Sequence, residues 1–126
     1  MQKVLLIDDR RIFHWFWKVM CERKFNCLHA YTIQQARELF DSHPDISAIV
    51  VDAHMDGPIR ISLQLPIREW GFNTHDLIRE LSQRFEGPII ASPSQWWQFE
   101  VMTQAGCTHH CWKWSVPSLL KKLLAP

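Results

Sequence analysis

Three carboxylates at the ends of two short apolar runs are the residues of this chain best suited to chemistry. Asp8 and Asp9 follow the run at residues 3–7, and Asp52 follows the run at residues 46–51. Apolar runs of this length, without polar alternation, are typical of parallel strands that are covered on both faces. The three acids would then lie at the carboxyl ends of strands, where open α/β sheets carry their sites.

Such a group of acids predicts a bound cation. Carboxylates gathered at one edge of a sheet repel each other unless a divalent cation joins them, and hard oxygen ligands without a thiolate favour Mg²⁺. The sequence therefore predicts a magnesium-assembled acidic pocket, and phosphoryl chemistry is the reaction class that such a pocket suits.

Composition restricts the alternatives. A chain of 126 residues is long enough for one domain with a single core, and its net charge of +1 gives no basic excess for nucleic acid. No apolar run approaches the roughly 18 residues of a membrane span, and the amino terminus lacks a secretory pattern. Four cysteines in such a chain are interpreted as reduced thiols. We therefore expect a cytoplasmic domain with neither nucleic-acid nor membrane partners.

Hydrophobic periodicity predicts five strand-then-helix units, which imply a parallel sheet with helices on both faces. The first helix carries an inner stripe that leaves Trp15 on the opposite side, and Thr32 with Gln35 forms a capping box for the second. Asn73 or Thr74 is expected to cap the third helix and Ser94 the fourth. Predicted strands cover residues 3–7, 26–30, 46–51, 88–91 and 109–112, and the stripe consists of Ile12, Phe13, Phe16, Trp17 and Met20.

A long segment, about residues 56–73, interrupts this alternation after the third strand. Residues 59–65 alternate strictly between apolar and polar types, which fits a half-buried strand or an extended lid. An irregular surface loop is the alternative interpretation. In both cases the segment grows from the edge that holds Asp52, where it would cover the site or meet a partner.

These features together resemble a response-regulator receiver domain of two-component signalling, over nearly the whole chain apart from the inserted segment. Two acid-tipped strands and a lysine after the fifth strand, in this order, form a specific signal. The matching residues are Leu6-Ile7-Asp8-Asp9, Val50-Val51-Asp52, Met55-Asp56-Gly57, Gly87-Pro88-Ile89-Ile90, and Ala105-Gly106 seven residues before Lys113.

The resemblance implies a flavodoxin-like sheet of order 2-1-3-4-5. It also implies that Asp52 is the phosphoacceptor, Asp9 a direct Mg²⁺ ligand and Asp8 a ligand through water. The backbone carbonyl of His54 would be a further ligand, and Lys113 would pair with the incoming phosphoryl group. Such a domain is not an enzyme in the ordinary sense, because it catalyses at most its own phosphorylation and dephosphorylation.

The implied partners are a histidine kinase or phosphotransfer protein as donor, and a downstream protein or a second copy as target. Receiver domains usually contact their targets through the fourth helix, fifth strand and fifth helix. Aromatic side chains in that region would be interface anchors or core residues beneath the inserted segment. They are Trp96, Phe99, Trp112 and Trp114.

Some positions depart from the family pattern. The usual Thr or Ser after the fourth strand falls, counting from Pro88, on Pro93, so that Ser92 or Ser94 must supply the hydroxyl if the strand end is shifted. His110 replaces the switch aromatic, as a phosphate-sensing group or as a ring that fills the same space. Trp114 replaces the usual proline after the lysine. A pseudo-receiver that binds partners without phosphorylation is therefore the alternative function, ahead of a Mg²⁺-dependent phosphohydrolase.

Cys107-Thr108-His109-His110-Cys111 invites a zinc interpretation. Structural zinc sites normally combine two separated ligand pairs, whereas these residues are crowded at the start of a predicted strand. Strand alternation would turn the two histidines to opposite faces. We therefore favour core cysteines and a histidine at the edge of the site.

Overall fold

The computed structural model describes residues 1–57, 64 and 71–124. Within these residues five strands alternate with five α-helices, and a short 3₁₀ helix, Lys113–Ser115, precedes the last of them. The strands are β1 Lys3–Ile7, β2 Asn26–Ala30, β3 Ile46–Val51, β4 Ile89–Ala91 and β5 His109–His110. The helices are α1 Arg11–Cys21, α2 Ile33–Ser42, α3 His75–Arg84, α4 Gln98–Ala105 and α5 Val116–Leu124.

All four strand pairs are parallel, and the sheet order is β2-β1-β3-β4-β5. This confirms the predicted α/β fold and its strand order. The register aligns Ile7 with Val51 and Val51 with Ala91, so that β1, β3 and β4 end at the same level. The residues that follow these three strands are therefore brought side by side.

Alternate residues of each central strand point to opposite faces of the sheet, and each face is covered by helices. On one face Leu5, Ile49 and Ile89 meet side chains of α2, α3 and α4, including Ala36, Leu77 and Met102. On the other face Leu6, Val50 and Ile90 meet Phe13 and Trp17 of α1 and Leu120 of α5. This two-sided burial explains why β1 and β3 are apolar throughout.

Local chemistry explains where α2 begins and where α4 ends. The Thr32 side chain accepts a hydrogen bond from the Gln35 N–H at 3.0 Å, which confirms the cap of α2. Gly106 ends α4 with φ 137°, a backbone conformation that favours glycine. A Cβ atom at that position would lie 2.7 Å from the Ser82 side chain of α3, so the glycine also lets the two helices approach.

Other boundaries differ from the predictions. Helix α4 begins at Gln98, so Ser94 is not its cap, and β5 ends at His110 rather than Trp112. Within the predicted inner stripe of α1, Ile12 and Met20 are exposed instead of buried. The predicted alternating strand over residues 59–65 lies outside the described part of the chain, apart from residue 64.

Candidate functional site

The three carboxylates named from the sequence converge at the ends of β1 and β3. Asp8, Asp9 and Asp52 each offer an oxygen, and these oxygens all lie within 4.8 Å of one another. Asp8 and Asp52 are buried, whereas Asp9 is partly exposed. A cluster of hard oxygen donors with one open side could hold a divalent cation of the Mg²⁺ type.

A buried lysine lies against two of these acids. The Lys113 ammonium is 2.5 Å from Asp8 Oδ2 and 3.2 Å from Asp52 Oδ1, and it donates to the Ser92 backbone carbonyl at 2.8 Å. The second Asp8 oxygen accepts the Arg10 N–H at 2.8 Å. A lysine ammonium buried to this extent is stable only because it is paired, and its position brings it to the oxygen of the predicted phosphoacceptor.

The residue after β4 carries a buried hydroxyl. Val51 pairs with Ala91, and the Ser92 N–H donates to the Val51 carbonyl at 2.9 Å, so Ser92 lies level with Asp52. Its side chain is buried, and its Oγ has no hydrogen-bond partner within the described residues. Counting from Pro88 had placed Pro93 here, but the register places Ser92 at this level and Pro93 one residue beyond it.

Burial and charge shift the carboxyl groups of the cluster. Desolvation raises the pKa of Asp52 above its usual range, and the neighbouring Asp8 charge adds to this, while Lys113 opposes it. Desolvation and Asp8 also raise the pKa of Asp9. The ionised cluster is therefore costly without a cation, and a divalent ion would relieve that cost.

The backbone beyond Asp52 is held by the two residues that precede α3, Asn73 and Thr74. The buried Thr74 hydroxyl donates to the Asp52 carbonyl at 2.8 Å and lies 3.1 Å from the Ala53 carbonyl, so Thr74 does not use its side chain as a helix cap. Asn73 accepts from the Met55 N–H at 2.8 Å and donates to the Met55 carbonyl at 2.6 Å. The loop that carries the His54 carbonyl is thus fixed at both of its ends.

The predicted switch residue His110 is exposed and lies against Phe99 of α4, with ring centroids 4.6 Å apart. Phe99 also contacts the ring of Trp112, which is 48 % exposed. These three residues form a partly exposed aromatic cluster on α4 and the β5 edge. Trp114, in contrast, packs on Phe13 and Phe16 of α1 and does not join that cluster.

A histidine pair beneath the site was not singled out from the sequence. His14 Nε2 lies 2.6 Å from the Asp8 backbone carbonyl, and His14 Nδ1 lies 2.7 Å from His29 Nδ1. Burial lowers the pKa of both imidazoles, which favours their neutral forms. The neutral His14 ring then donates to Asp8 and accepts from His29, so it supports the backbone of a candidate metal ligand. The signal in the sequence was a histidine beside Phe13 that lies one helical turn from Trp17, on the buried side of α1.

The outer face of α1 is unusually apolar. Ile12, Trp15, Val19 and Met20 are all exposed, with Trp15 at 64 %, whereas Trp17 is fully buried as predicted. The four cysteines are free, and the acidic cluster above is the one candidate group of three metal ligands among the described residues. In that part of the chain no helix has the length and apolar character needed to cross a membrane.

No family model matches this chain, and no curated protein matches it. Solved structures do. The chain is similar to a two-component response regulator from Clostridium difficile, with a TM-score of 0.76 and 14 % identity, over 98 % of this chain and 96 % of that one. It is also similar to a chain from the complex between the P1 domain of CheA3 and CheY6 of R. sphaeroides, with a TM-score of 0.72 and 13 % identity, over 99 % and 98 %.

A third similar structure is a response regulator protein from Burkholderia pseudomallei with a phosphorylated aspartic acid, a calcium ion and citrate. Its TM-score is 0.72 at 18 % identity, and the match covers 98 % of this chain and 66 % of that one. The chain therefore has the fold of response-regulator receiver domains over nearly its whole length. At these identities the likeness concerns the fold, and the function has to be argued from the site.

Proposed function

We propose that this chain is a receiver domain of two-component signalling that accepts a phosphoryl group on Asp52 with the help of Mg²⁺. The observation that carries the proposal is the convergence of Asp8, Asp9 and Asp52 within 4.8 Å, with the buried Lys113 ammonium against Asp8 and Asp52. The fold of receiver domains supports it independently. The chain would be a phosphoacceptor and not an enzyme acting on a separate substrate.

In the proposed step an Asp52 carboxylate oxygen attacks the phosphorus atom of the donor. A P–O acyl phosphate bond forms, and the bond from phosphorus to the donor's leaving atom breaks with its electron pair. Mg²⁺, held by Asp9 and Asp52, by Asp8 through water and by the His54 carbonyl, would neutralise charge on the transferred group. Lys113 would shift its pairing from Asp52 to a phosphoryl oxygen, which is close by because its ammonium already contacts Asp52.

Ser92 is proposed as the hydroxyl donor to the phosphoryl group. Its buried Oγ lacks a partner among the described residues and lies level with Asp52, so a new acceptor oxygen would satisfy it. His110 is proposed as the switch residue, since phosphoryl binding near β4 and β5 would alter its contact with Phe99.

The proposed donor is a histidine kinase or phosphotransfer protein. The similarity to a chain of the complex between the P1 domain of CheA3 and CheY6 supports this class of partner. The partly exposed aromatic cluster of Phe99, His110 and Trp112 is the proposed contact surface for a downstream protein or a second copy. The proposed compartment is the cytoplasm, which suits the four free thiols.

The test is intact mass after incubation with Mg²⁺ and a small acyl phosphate. Wild type should gain the mass of one phosphoryl group, whereas Asp52→Asn should gain none and Asp9→Asn much less. Asp45→Asn is the matched control, because Asp45 is an exposed carboxylate that pairs with Lys3 away from the cluster. A folded wild type that gains no phosphoryl mass would contradict the proposal.

A pseudo-receiver that binds its partner without phosphorylation is the second candidate. The exposed side chains of Trp112 and of the outer face of α1 favour it, because they are available for contact in the unphosphorylated protein. Binding of a partner that is equally tight for wild type and Asp52→Asn, with and without the small acyl phosphate, would select this candidate over the first.

A further inference from the structure

The Lys113 side chain extends from its backbone to the acidic cluster, so the position of that backbone determines where the ammonium lies. Lys113 itself lies beyond the end of the sheet. Strand β5 ends at His110, and the last hydrogen bond to β4 runs from the Cys111 N–H to the Ala91 carbonyl at 3.0 Å. Lys113 follows two residues later, at the start of the 3₁₀ helix. Within the described residues, a contact outside the sheet must therefore fix the backbone of Lys113.

That contact comes from α1. The Trp17 indole N–H donates to the Lys113 backbone carbonyl at 2.9 Å, across 96 positions of sequence. The same carbonyl accepts the Val116 N–H, so both of its acceptor sites are used. Trp17 is fully buried, and a buried indole N–H without a partner is costly, so the bond specifies one position of the chain at Lys113.

The neighbouring ring of α1 contacts the other end of the lysine. The Lys113 ammonium lies 4.9 Å from the centroid of the Phe13 ring, within the range of a cation–π interaction. The Trp114 ring packs on Phe13 at 5.2 Å and on Phe16 at 4.7 Å, so the next residue is also tied to α1. Helix α1 thus contacts the Lys113 carbonyl through Trp17 and the Lys113 ammonium through Phe13. It also contacts the next residue, whose ring packs on Phe13 and Phe16.

We propose that Trp17 is the positioning residue for Lys113: its indole N–H sets the backbone from which the ammonium reaches Asp8 and Asp52. The role of Lys113 toward the phosphoryl group rests on the proposed function, whereas its placement by Trp17 does not.

The first test measures the position of Lys113 without any phosphorylation. Limited acetylation with acetic anhydride, read by peptide mass spectrometry, should modify buried Lys113 far more slowly than exposed Lys24 in wild type. Trp17→Phe removes the N–H donor, and we expect acetylation of Lys113 to become about fivefold faster, as the loss of ~1 kcal/mol predicts. Trp15→Phe is the matched control, because it alters an exposed tryptophan of the same helix.

Alkylation of the buried Cys107 thiol, on the opposite face of the sheet, reports any general loosening. It should be unchanged in Trp17→Phe. If Trp17→Phe does not fold, 3-benzothienylalanine at position 17 keeps the ring shape without the donor. An unchanged rate at Lys113, or an equal increase at Lys113 and Cys107, would overturn the inference.

The second test asks whether Trp17 acts through the lysine. Phosphorylation of Asp52 by a small acyl phosphate should be about fivefold slower in Trp17→Phe than in wild type. The same substitution in a Lys113→Met background should give no further loss, because the group that it positions is gone. Equal losses in both backgrounds would overturn the inference. If wild type takes up no phosphoryl group, the proposed function fails, and the acetylation experiment still decides whether Trp17 positions Lys113.

Discussion

At the scale of single residues, the central group of the site is the Asp52 carboxylate, whose ionised form is destabilised by its burial. Asp52 is buried beside Asp8, and its burial raises its pKa, so the folded protein holds a proton there more tightly than the unfolded chain. A group with a raised folded-state pKa contributes stability at low pH that is lost as the pH rises through that pKa. The ionised cluster therefore weakens the fold at neutral pH.

The first prediction follows from the raised pKa of Asp52. Asp52→Asn should raise the free energy of unfolding at pH 7, without added metal, by ~1–2 kcal/mol, and the gain should shrink as the pH is lowered. Urea unfolding at several pH values measures it. Mg²⁺ should stabilise wild type more than Asp52→Asn. A variant that is less stable than wild type at pH 7 would show that the pairing with Lys113 outweighs burial.

The second prediction separates the two serines after β4. Because the Ser92 hydroxyl has no partner within the described residues, Ser92→Ala should leave the unfolding midpoint almost unchanged. It should lower the rate of phosphoryl uptake by about 10- to 100-fold, since a hydrogen bond to a charged group is worth roughly 1.5–3 kcal/mol. Ser94→Ala, at an exposed position, is the control and should behave like wild type. The reverse result would assign the hydroxyl to Ser94.

At the scale of the elements, the boundaries of the first three strands were predictable, whereas the end of β5, the start of α4 and the buried face of α1 were not. Strands β1, β2 and β3 have the predicted bounds, because apolar runs buried on both sides leave a clear signal. Ser94 was a reasonable cap by type, yet α4 starts at Gln98. On α1, Ile12 and Met20 fit a helical stripe by spacing, but His14 and Cys21 take the buried positions. Apolar type alone could not reveal which of two apolar faces packs inward.

The third prediction concerns the start of α3. Thr74→Val should lower the free energy of unfolding by ~1–3 kcal/mol, because the Asp52 and Ala53 carbonyls lose a buried donor while the side chain keeps its shape. Thermal or urea unfolding measures the loss. Thr103→Val, which removes an exposed hydroxyl on α4, should change stability far less. Equal effects at both positions would mean that the Thr74 bonds add no net stability.

At the scale of the whole molecule, the fold joins elements that are distant in sequence. Helices α1 and α5 cover the same face of the sheet, where Phe13 and Trp17 of α1 share a core cluster with Leu120 of α5. Exposed basic residues lie on both helices and in the turn after α1, namely Arg11, Lys18, Arg23, Lys24 and Lys122. The sequence does not reveal this grouping, since α1 and α5 become neighbours only in the fold. The hydrogen bond from Trp17 to Lys113 could not be predicted for the same reason, because its partners are 96 residues apart.

The fourth prediction tests the exposed face of α1. Replacing Trp15 and Val19 together with glutamine should leave the unfolding midpoint within about 0.5 kcal/mol of wild type, because neither side chain is buried. It should reduce binding of a hydrophobic fluorescent dye. Trp96→Gln, at another exposed tryptophan, controls for the loss of one aromatic ring. A large loss of stability in the double variant would show that these side chains are packed in solution.

The two hydrogen bonds between the Asn73 side chain and the Met55 backbone have a consequence for the engineering of this chain. Paired amide bonds join the two points where the inserted segment leaves and rejoins the body of the protein. Because these bonds already hold the two ends together, an insertion between them would add only a slowly growing entropic cost of loop closure. A reporter or recognition peptide inserted between Met55 and Asn73 would therefore emerge next to the backbone that follows Asp52.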